Sequence, residues 1–89
     1  MCNSFIIEDV NERVKDTLLD ELQGMGSDIE GNNPWKINLN RDGVVMTAAW
    51  QRGNDTLEVQ VLEKNWYASC NRVEKAIRKT VDKLRDGIA

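Results

Sequence analysis

Residues 35–62 have the sequence WKINLNRDGVVMTAAWQRGNDTLEVQVL, which decides the predicted fold. Two turn signals, Asp42-Gly43 and Gly53-Asn54, divide this stretch into three segments in which apolar residues alternate with others. Each turn supplies a residue that tolerates positive φ, as the type I′ and II′ turns of two-residue hairpins require. The stretch therefore predicts a three-stranded antiparallel meander.

The two turns also fix the predicted register, because a hairpin turn determines which residues of its strands lie opposite each other. Around Asp42-Gly43 the predicted pairs are Leu39 with Met46, Ile37 with Ala48 and Trp35 with Trp50. Around Gly53-Asn54 they are Trp50 with Leu57, Ala48 with Val59 and Met46 with Val61. Both hairpins place the same three residues of the central strand on one face, which favours that face as the core.

A first amphipathic helix is predicted before the meander. Asp9 and Glu12 resemble a capping box at its start, and Gly24 and Gly26 end it. Its apolar stripe consists of Ile7, Val10, Val14, Leu18, Leu22 and Met25.

A second helix is predicted after the meander, beginning after Asn65 or, as an alternative, at Asn71. Its apolar stripe consists of Trp66, Cys70, Val73, Ile77, Val81, Leu84 and Ile88. These residues follow one another at spacings of three and four, which is typical of one face of a helix.

The predicted class is α+β, with the order α-β-β-β-α. Since one face of a three-stranded sheet cannot bury its apolar side chains alone, we expect both helices to pack on one face of the meander. All three tryptophans, Trp35, Trp50 and Trp66, are then expected in the core. Residues 1–89 are expected to form a single domain, in which residues 23–34 form a mobile loop.

The charge of the chain is unevenly distributed. The net charge is −3 over 89 residues. Residues 1–34 carry eight acidic and two basic side chains, whereas residues 35–89 carry seven acidic and ten basic ones. This balance argues against nucleic-acid binding by the whole surface but allows one local basic patch.

Cysteine usage and apolar content predict a cytoplasmic location. The first ten residues have neither the basic segment nor the apolar run of a signal peptide, and no segment has the length of a membrane span. Cys2 and Cys70 lie far apart, and the chain has no histidine. We therefore expect no disulfide framework, no zinc site and no membrane partner.

Few residues suggest catalysis, a metal or a cofactor. Without histidine, the Ser-His-Asp, Cys-His and histidine-metal arrangements are excluded from this chain alone. Asp28, Glu30 and Asn32 alternate as in a calcium loop, but the glycine and glutamate of that motif are replaced by Asn33 and Leu39. We predict no enzyme, no metal and no cofactor. A thiol-dependent enzyme built on Cys70 is the weakest alternative, because that residue belongs to an apolar stripe.

Two groups of residues are candidate binding sites. The outer side of the second helix carries Arg72, Lys75, Lys79 and Lys83 at spacings of three and four, in a pattern that Asp82 and Asp86 interrupt. This basic stripe is the candidate site for nucleic acid, although a mixed charged face is also typical of any surface helix. The predicted element order matches that of double-stranded RNA-binding domains, but residues 63–68 lack their lysine-rich segment, and the likeness is one of topology alone.

The second candidate is the sheet face opposite the core. There the predicted register places Val45 beside Leu62, which gives a flat, partly apolar surface. A protein partner or a second copy would cover this face or pair with the edge strand at residues 35–40. We predict a small non-enzymatic protein-binding or regulatory module, with nucleic-acid binding through the second helix as the alternative.

Overall fold

The computed structural model describes residues 2–88, the side chain of Ile88 excepted. Within this range the elements are β1 (Phe5–Ile7), α1 (Glu12–Gly24), β2 (Asp28–Gly31), β3 (Trp35–Asn38), β4 (Val45–Gln51), β5 (Thr56–Glu63) and α2 (Cys70–Ile88). The strands form an antiparallel sheet in the order β1-β5-β4-β3-β2. The predicted α+β class is confirmed. The predicted three-stranded α-β-β-β-α order is wrong, because β1 precedes α1 and β2 follows it.

The sequence pattern missed two short edge strands. In β1, Phe5 and Ile7 are buried and Ile6 is exposed. Three residues are too few for the pattern to separate a strand from the start of an apolar helix stripe. The sequence pattern therefore places Ile7 in the stripe of the first helix, whereas the structure places it in β1. β2 lies inside the predicted mobile loop of residues 23–34, and among its residues Ile29 alone is partly buried. Since β2 covers β3, the predicted edge strand at residues 35–40 lies inside the sheet.

The register is confirmed for one hairpin and wrong for the other. Trp50 lies opposite Leu57, Ala48 opposite Val59 and Met46 opposite Val61, as predicted. Trp35, however, lies opposite Ala48, and Ile37 lies opposite Met46, two residues from the predicted pairs. A shift of two residues leaves every side chain on its predicted face. The inner face of the sheet is therefore the one that the sequence indicated.

The shifted hairpin has a longer loop than Asp42-Gly43 alone would give. Leu39 N–H donates to the Val44 carbonyl over 3.0 Å, and Val44 N–H donates to the Arg41 carbonyl over 3.1 Å. Asn40, Asp42 and Gly43 all adopt positive φ. Val44 is buried, so the chain bends inward before β4 begins. We call residues 39–44 the long loop and residues 52–55, which join β4 to β5, the short loop.

One core joins the inner face of the sheet to both helices. Its buried members include Trp35, Ile37, Met46, Trp50, Leu57, Val59, Val14, Leu18, Leu22, Val73, Ile77 and Val81. α1 and α2 contact each other over this face, in agreement with the predicted packing. No helix within residues 2–88 combines the length and apolar character needed to cross a membrane.

The helix starts differ from the predicted ones. α1 is capped by Asn11, whose Oδ1 accepts from Val14 N–H over 2.8 Å, whereas Asp9 adopts positive φ outside the helix. α2 begins at Cys70, and Ser69 Oγ accepts from Arg72 N–H over 3.1 Å. Ser69 is therefore the residue that caps α2, and neither Asn65 nor Asn71 does so.

This start leaves Trp66 in the loop before α2. Its side chain is 92% exposed, so the prediction that Trp66 belongs to the core is wrong. Val73, Ile77 and Val81 are buried as predicted, and Leu84 is partly buried. The predicted core position at Ile88 lies outside the described side chains.

Cys2 and Cys70 form a disulfide, with their Cα atoms 5.4 Å apart. The prediction of two unlinked cysteines is wrong, because folding brings the N-terminal segment beside the first residue of α2. Disulfides persist chiefly in oxidising compartments. Cysteine usage therefore no longer supports a cytoplasmic location, which stays a prediction.

Candidate functional site

The structure forms an open groove of about 260 Å³ between the end of α1, the long loop and the first half of α2. Its floor is apolar and consists of Leu22, Leu39, Val44, Val73 and Ile77. Most of these side chains also belong to the core, so the groove is an opening in the core surface between two elements.

Polar and flexible side chains form the rim of the groove. Arg41 and Asp42 come from the long loop, Arg72 comes from α2, and Met25 follows the last residue of α1. The Met25 side chain is 56% exposed, although the sequence assigned it to the buried stripe. It leaves that stripe because α1 ends at Gly24.

The long loop is held against the loop before α2, residues 64–69. Asn65 N–H donates to the Asp42 carbonyl over 2.9 Å, and Asn65 Nδ2 donates to the Tyr67 hydroxyl over 2.8 Å. Gly43 approaches so closely that an added Cβ would lie 2.3 Å from Asn65 Oδ1. The positive φ and the absence of a Cβ at Gly43 together allow this contact. One wall of the groove is therefore built from two interlocked loops.

The same interlocked loops carry an exposed aromatic pair. The rings of Trp66 and Tyr67 meet edge to face, with centroids 5.9 Å apart. The Tyr67 hydroxyl lies 3.4 Å from Asp42 Oδ1, and the next residue, Ala68, lines the groove. The aromatic pair thus borders the groove. We call the groove together with Trp66 and Tyr67 the groove surface.

The predicted basic stripe lies on the exposed side of α2. Arg72, Lys75, Lys79 and Lys83 are all exposed. Among the described residues none of the four makes an ion pair, whereas Arg78 pairs with Glu74 and Arg85 pairs with Asp82. Arg72 also lines the groove, so the structure connects the basic stripe to the groove surface.

The exposed face of α1, the neighbouring helix, has the opposite charge. Glu12, Asp16 and Asp20 are exposed there, and Glu12 lies 4.0 Å from the guanidinium of Arg52. Lys15 Nζ donates to Asp16 Oδ1 over 2.5 Å, and the same ammonium lies over the rings of Trp35 and Trp50, 5.5 and 5.1 Å from their centroids. The helical layer therefore carries an acidic helix beside a basic one.

In the sheet Val45 does not lie opposite Leu62, although the sequence predicts that pair. Val45 lies opposite Glu63, because the β4–β5 ladder is irregular between Val45 and Met46. Leu62 is 42% exposed and Val45 is partly buried. Ile6, which the prediction did not place on this face, is also exposed there.

The remaining chemical candidates are arranged as follows. Cys70 is bonded to Cys2 and presents no free thiol in this structure. Asp28 Oδ2 accepts from Asn40 Nδ2 over 3.1 Å. Within residues 2–88, His, Cys, Asp and Glu side chains nowhere converge in a group of three that would suit a metal ion.

Sequence reasoning identified Arg72 but missed the rest of the groove surface. Trp66 follows the spacing of the α2 stripe, so its pattern favoured the core. Ser69, a preferred N-cap residue immediately before Cys70, was the signal that would have placed Trp66 and Tyr67 in a loop. Nothing comparable in the sequence pattern marks Arg41.

Comparisons with protein-family models, with curated proteins and with solved structures found no match for this chain. The candidate site is therefore argued from its own geometry.

Proposed function

We propose that this protein is a small non-enzymatic module that binds another protein through the groove surface. The observation that carries this proposal is the 92% exposure of Trp66 beside an apolar groove. Leaving an indole in water forgoes the favourable free energy of burying it, which a bound partner would recover.

The composition of the groove surface supports a protein partner. Trp66, Tyr67, Met25, Arg41 and Arg72 are of the residue types enriched at protein–protein interfaces relative to the rest of protein surfaces. Tryptophan, tyrosine and arginine are also the residues whose truncation most often costs binding energy. The interlocked loops hold Tyr67 beside the groove before binding, which reduces the entropy that a partner must overcome.

The basic stripe on α2 supports nucleic-acid binding as a second candidate. Exposed aromatic rings beside basic side chains also occur in single-strand-binding proteins. The acidic face of α1 lies beside α2, however. It would repel the phosphates of any nucleic acid that extends beyond the basic stripe toward α1. The apolar floor of the groove likewise offers phosphate no partner. We therefore rank a protein partner first.

A homodimer is a further proposal. Of the two surfaces that the sequence suggested for it, the structure leaves only the exposed sheet face accessible. Pairing through residues 35–40 would require displacing β2 from β3. The sheet face with Ile6 and Leu62 exposes apolar side chains that a second copy could cover. Sedimentation of the purified chain at low and high salt tests this form.

Selection of peptides against the immobilised protein tests the groove surface. We expect peptides from a random library about 12 residues long to be enriched on the parent protein and lost on Trp66→Ser. Leu62→Ser is the matched control, because it also removes one exposed apolar side chain but from the sheet face. Peptides that depend on Leu62 and not on Trp66 would place binding on the sheet face instead.

Fluorescence anisotropy tests the nucleic-acid alternative. Labelled single strands and duplexes of about 20 nucleotides should show no saturable binding at physiological salt. If they bind the parent, and replacing Lys75, Lys79 and Lys83 by Gln weakens that binding, the ranking of the two functions is reversed.

A further inference from the structure

We infer that the groove binds an acidic segment of another protein, which inserts one bulky apolar side chain between α1 and α2 and sets its carboxylates against Arg41 and Arg72. This inference deepens the protein-binding function proposed above and rests on it. Three properties of the groove lead to it: its size, the charge of its rim and the direction of the basic stripe.

The size and open shape of the groove favour a chain segment over a free small molecule. Pockets for drug-sized ligands enclose roughly 300–1,000 Å³ and bury most of the ligand surface. The groove is open and measures about 260 Å³. One large apolar side chain would occupy part of this space, and neighbouring residues of a longer segment would cover the rest of the floor and lie over the rim.

The rim favours carboxylates. Arg41 and Arg72 both line the groove, and neither makes an ion pair within residues 2–88. Asp42, the acidic residue of the rim, lies near the Tyr67 hydroxyl on the side of the interlocked loops. A guanidinium presents parallel N–H donors that match the two oxygens of a carboxylate. The two arginines therefore offer an acidic segment charge-assisted hydrogen bonds on the rim of an apolar groove.

The direction of the basic stripe extends this preference beyond the groove. Helical spacing places Lys79 and Lys83 in line with Arg72, beside the groove residues Ala76 and Thr80. A segment that follows α2 from the groove would meet Lys79 two turns after Arg72 and Lys83 one turn later. Of the two acidic residues that interrupt the stripe, Asp82 is paired with Arg85. Several acidic residues, and not a single carboxylate, are the complement of this surface.

A second copy of this chain fits the groove less well. The acidic face of α1 has the required charge, but its exposed residues, Glu12, Asp16 and Asp20 among them, are polar. The bulky apolar residues of α1, Val14, Leu18 and Leu22, are buried in the core of their own chain. An α1 helix from another copy would therefore bring carboxylates without a side chain to fill the groove.

The experiment uses the peptides whose enrichment depends on Trp66. We expect these peptides to carry a bulky apolar residue flanked by Asp or Glu. Their affinity for the Arg41→Gln/Arg72→Gln double variant should fall by about tenfold or more, because two charge-assisted contacts are lost. The double variant Arg13→Gln/Lys36→Gln is the control, since it removes the same charge from exposed positions away from the groove.

Two substituted peptides complete the test. Replacing the acidic residues of a selected peptide by Gln should weaken its binding to the parent protein but change little with the arginine double variant. Replacing its bulky apolar residue by Ala should abolish binding to both. Trp66-dependent peptides that are neutral or basic, or that bind the arginine double variant as well as the parent, would overturn this inference and leave the proposed function standing. If no peptide depends on Trp66, the proposed function itself fails.

Discussion

The tryptophans at the two ends of strand β4 differ in exposure. At the end that leads into the short loop, Trp50 is 6% exposed, and its Nε1 donates to the Val10 carbonyl over 2.7 Å. At the end that follows the long loop, the neighbouring Trp66 is almost fully exposed. We call these the turn end and the groove end of the molecule.

The polar groups of the turn end are satisfied within the chain. Asn33 Oδ1 accepts from Trp50 N–H over 2.8 Å, and Asn33 Nδ2 donates to the Trp50 carbonyl over 2.9 Å. The pairing of β3 with β4 ends at Trp35 and Ala48. Beyond it, the Asn33 side-chain amide makes the two hydrogen bonds to Trp50 that a neighbouring strand would otherwise make. Lys15 and Arg52 lie over the indole, 5.1 and 5.7 Å from its centroid. The groove end, by contrast, leaves its arginines and its apolar floor accessible. The two ends therefore differ in how their tryptophan is used: Trp50 is buried and hydrogen-bonded at the turn end, and Trp66 is exposed beside accessible groups at the groove end.

Truncation of Trp50 should have the largest effect on stability. Trp50→Ala removes a buried indole and its hydrogen bond to Val10, and we expect a loss of about 3–5 kcal/mol in the free energy of unfolding. Urea unfolding followed by circular dichroism measures it, and a variant that does not fold at all would also agree with the prediction. A loss below about 1 kcal/mol would show that the turn end does not hold the core together.

Two glycine substitutions compare the two loops directly. In Gly43→Ala the new Cβ lies 2.3 Å from Asn65 Oδ1 at a φ of +66°, and we expect a loss of about 2–4 kcal/mol. Gly53→Ala meets no atom within 4 Å at a φ of +94°. It should lose about 1–2 kcal/mol, from backbone strain alone. Equal losses in the two variants would contradict the interlocking of the long loop with residues 64–69.

Removing the Asn65 side chain tests the cause of the larger loss. Asn65→Ala in the Gly43→Ala background should recover about 1 kcal/mol, because the clash with Oδ1 disappears while that with the backbone nitrogen remains. In the Gly53→Ala background the same substitution should recover nothing. A double-mutant cycle from four unfolding curves gives this coupling energy.

The amide of Asn33 should have a smaller effect than Gly43. Asn33→Ala leaves the backbone N–H and carbonyl of Trp50 without their partner, and we expect a loss of about 1–2 kcal/mol. Asn32→Ala is the matched control, because Asn32 is exposed and adjacent. Hydrogen exchange at Trp50 N–H should quicken in the Asn33 variant and not in the Asn32 variant.

Truncation of Trp66 should have the smallest effect. Its ring makes one edge-to-face contact with Tyr67, and we expect Trp66→Ala to stay within about 0.5 kcal/mol of the parent. The same unfolding measurement as for Trp50→Ala makes the contrast direct. A loss of several kcal/mol at Trp66 would mean that the groove end also serves the core.

The sequence predicted the parts of the fold that depend on local patterns. The β4–β5 register is the one that the Gly53-Asn54 turn signal predicts, and the contact of the short loop with Val10, whose N–H donates to the Asp55 carbonyl, does not shift it. The long loop has a similar turn signal, but burial of Val44 and the contact with Asn65 outweigh it. An alternating apolar pattern cannot detect the resulting shift of two residues, because each side chain stays on the same face of the sheet.

The candidate site was predictable only where it lies on regular structure. The exposed stripe of Arg72 and the lysines of α2 is predictable from helical spacing, because all of its residues lie in one continuous helix. The groove depends instead on three segments that meet in space, and its shape is set by where α1 ends and how two loops interlock. The disulfide between Cys2 and Cys70 is missed for the same reason, since it depends on the path of the whole chain.

The pairing of β1 with β5 has a consequence for the order of folding. Phe5 lies opposite Val59 and Ile7 opposite Leu57, so β1 has no partner until β5 has been synthesised. Contacts between residues so distant in sequence form at a high cost in loop entropy and slow the folding of small domains. We expect the hairpin of β4 and β5 to form early and the N-terminal strand to dock late. The edge of the sheet that β1 covers would then be the last part of the protein to be protected from pairing with other chains.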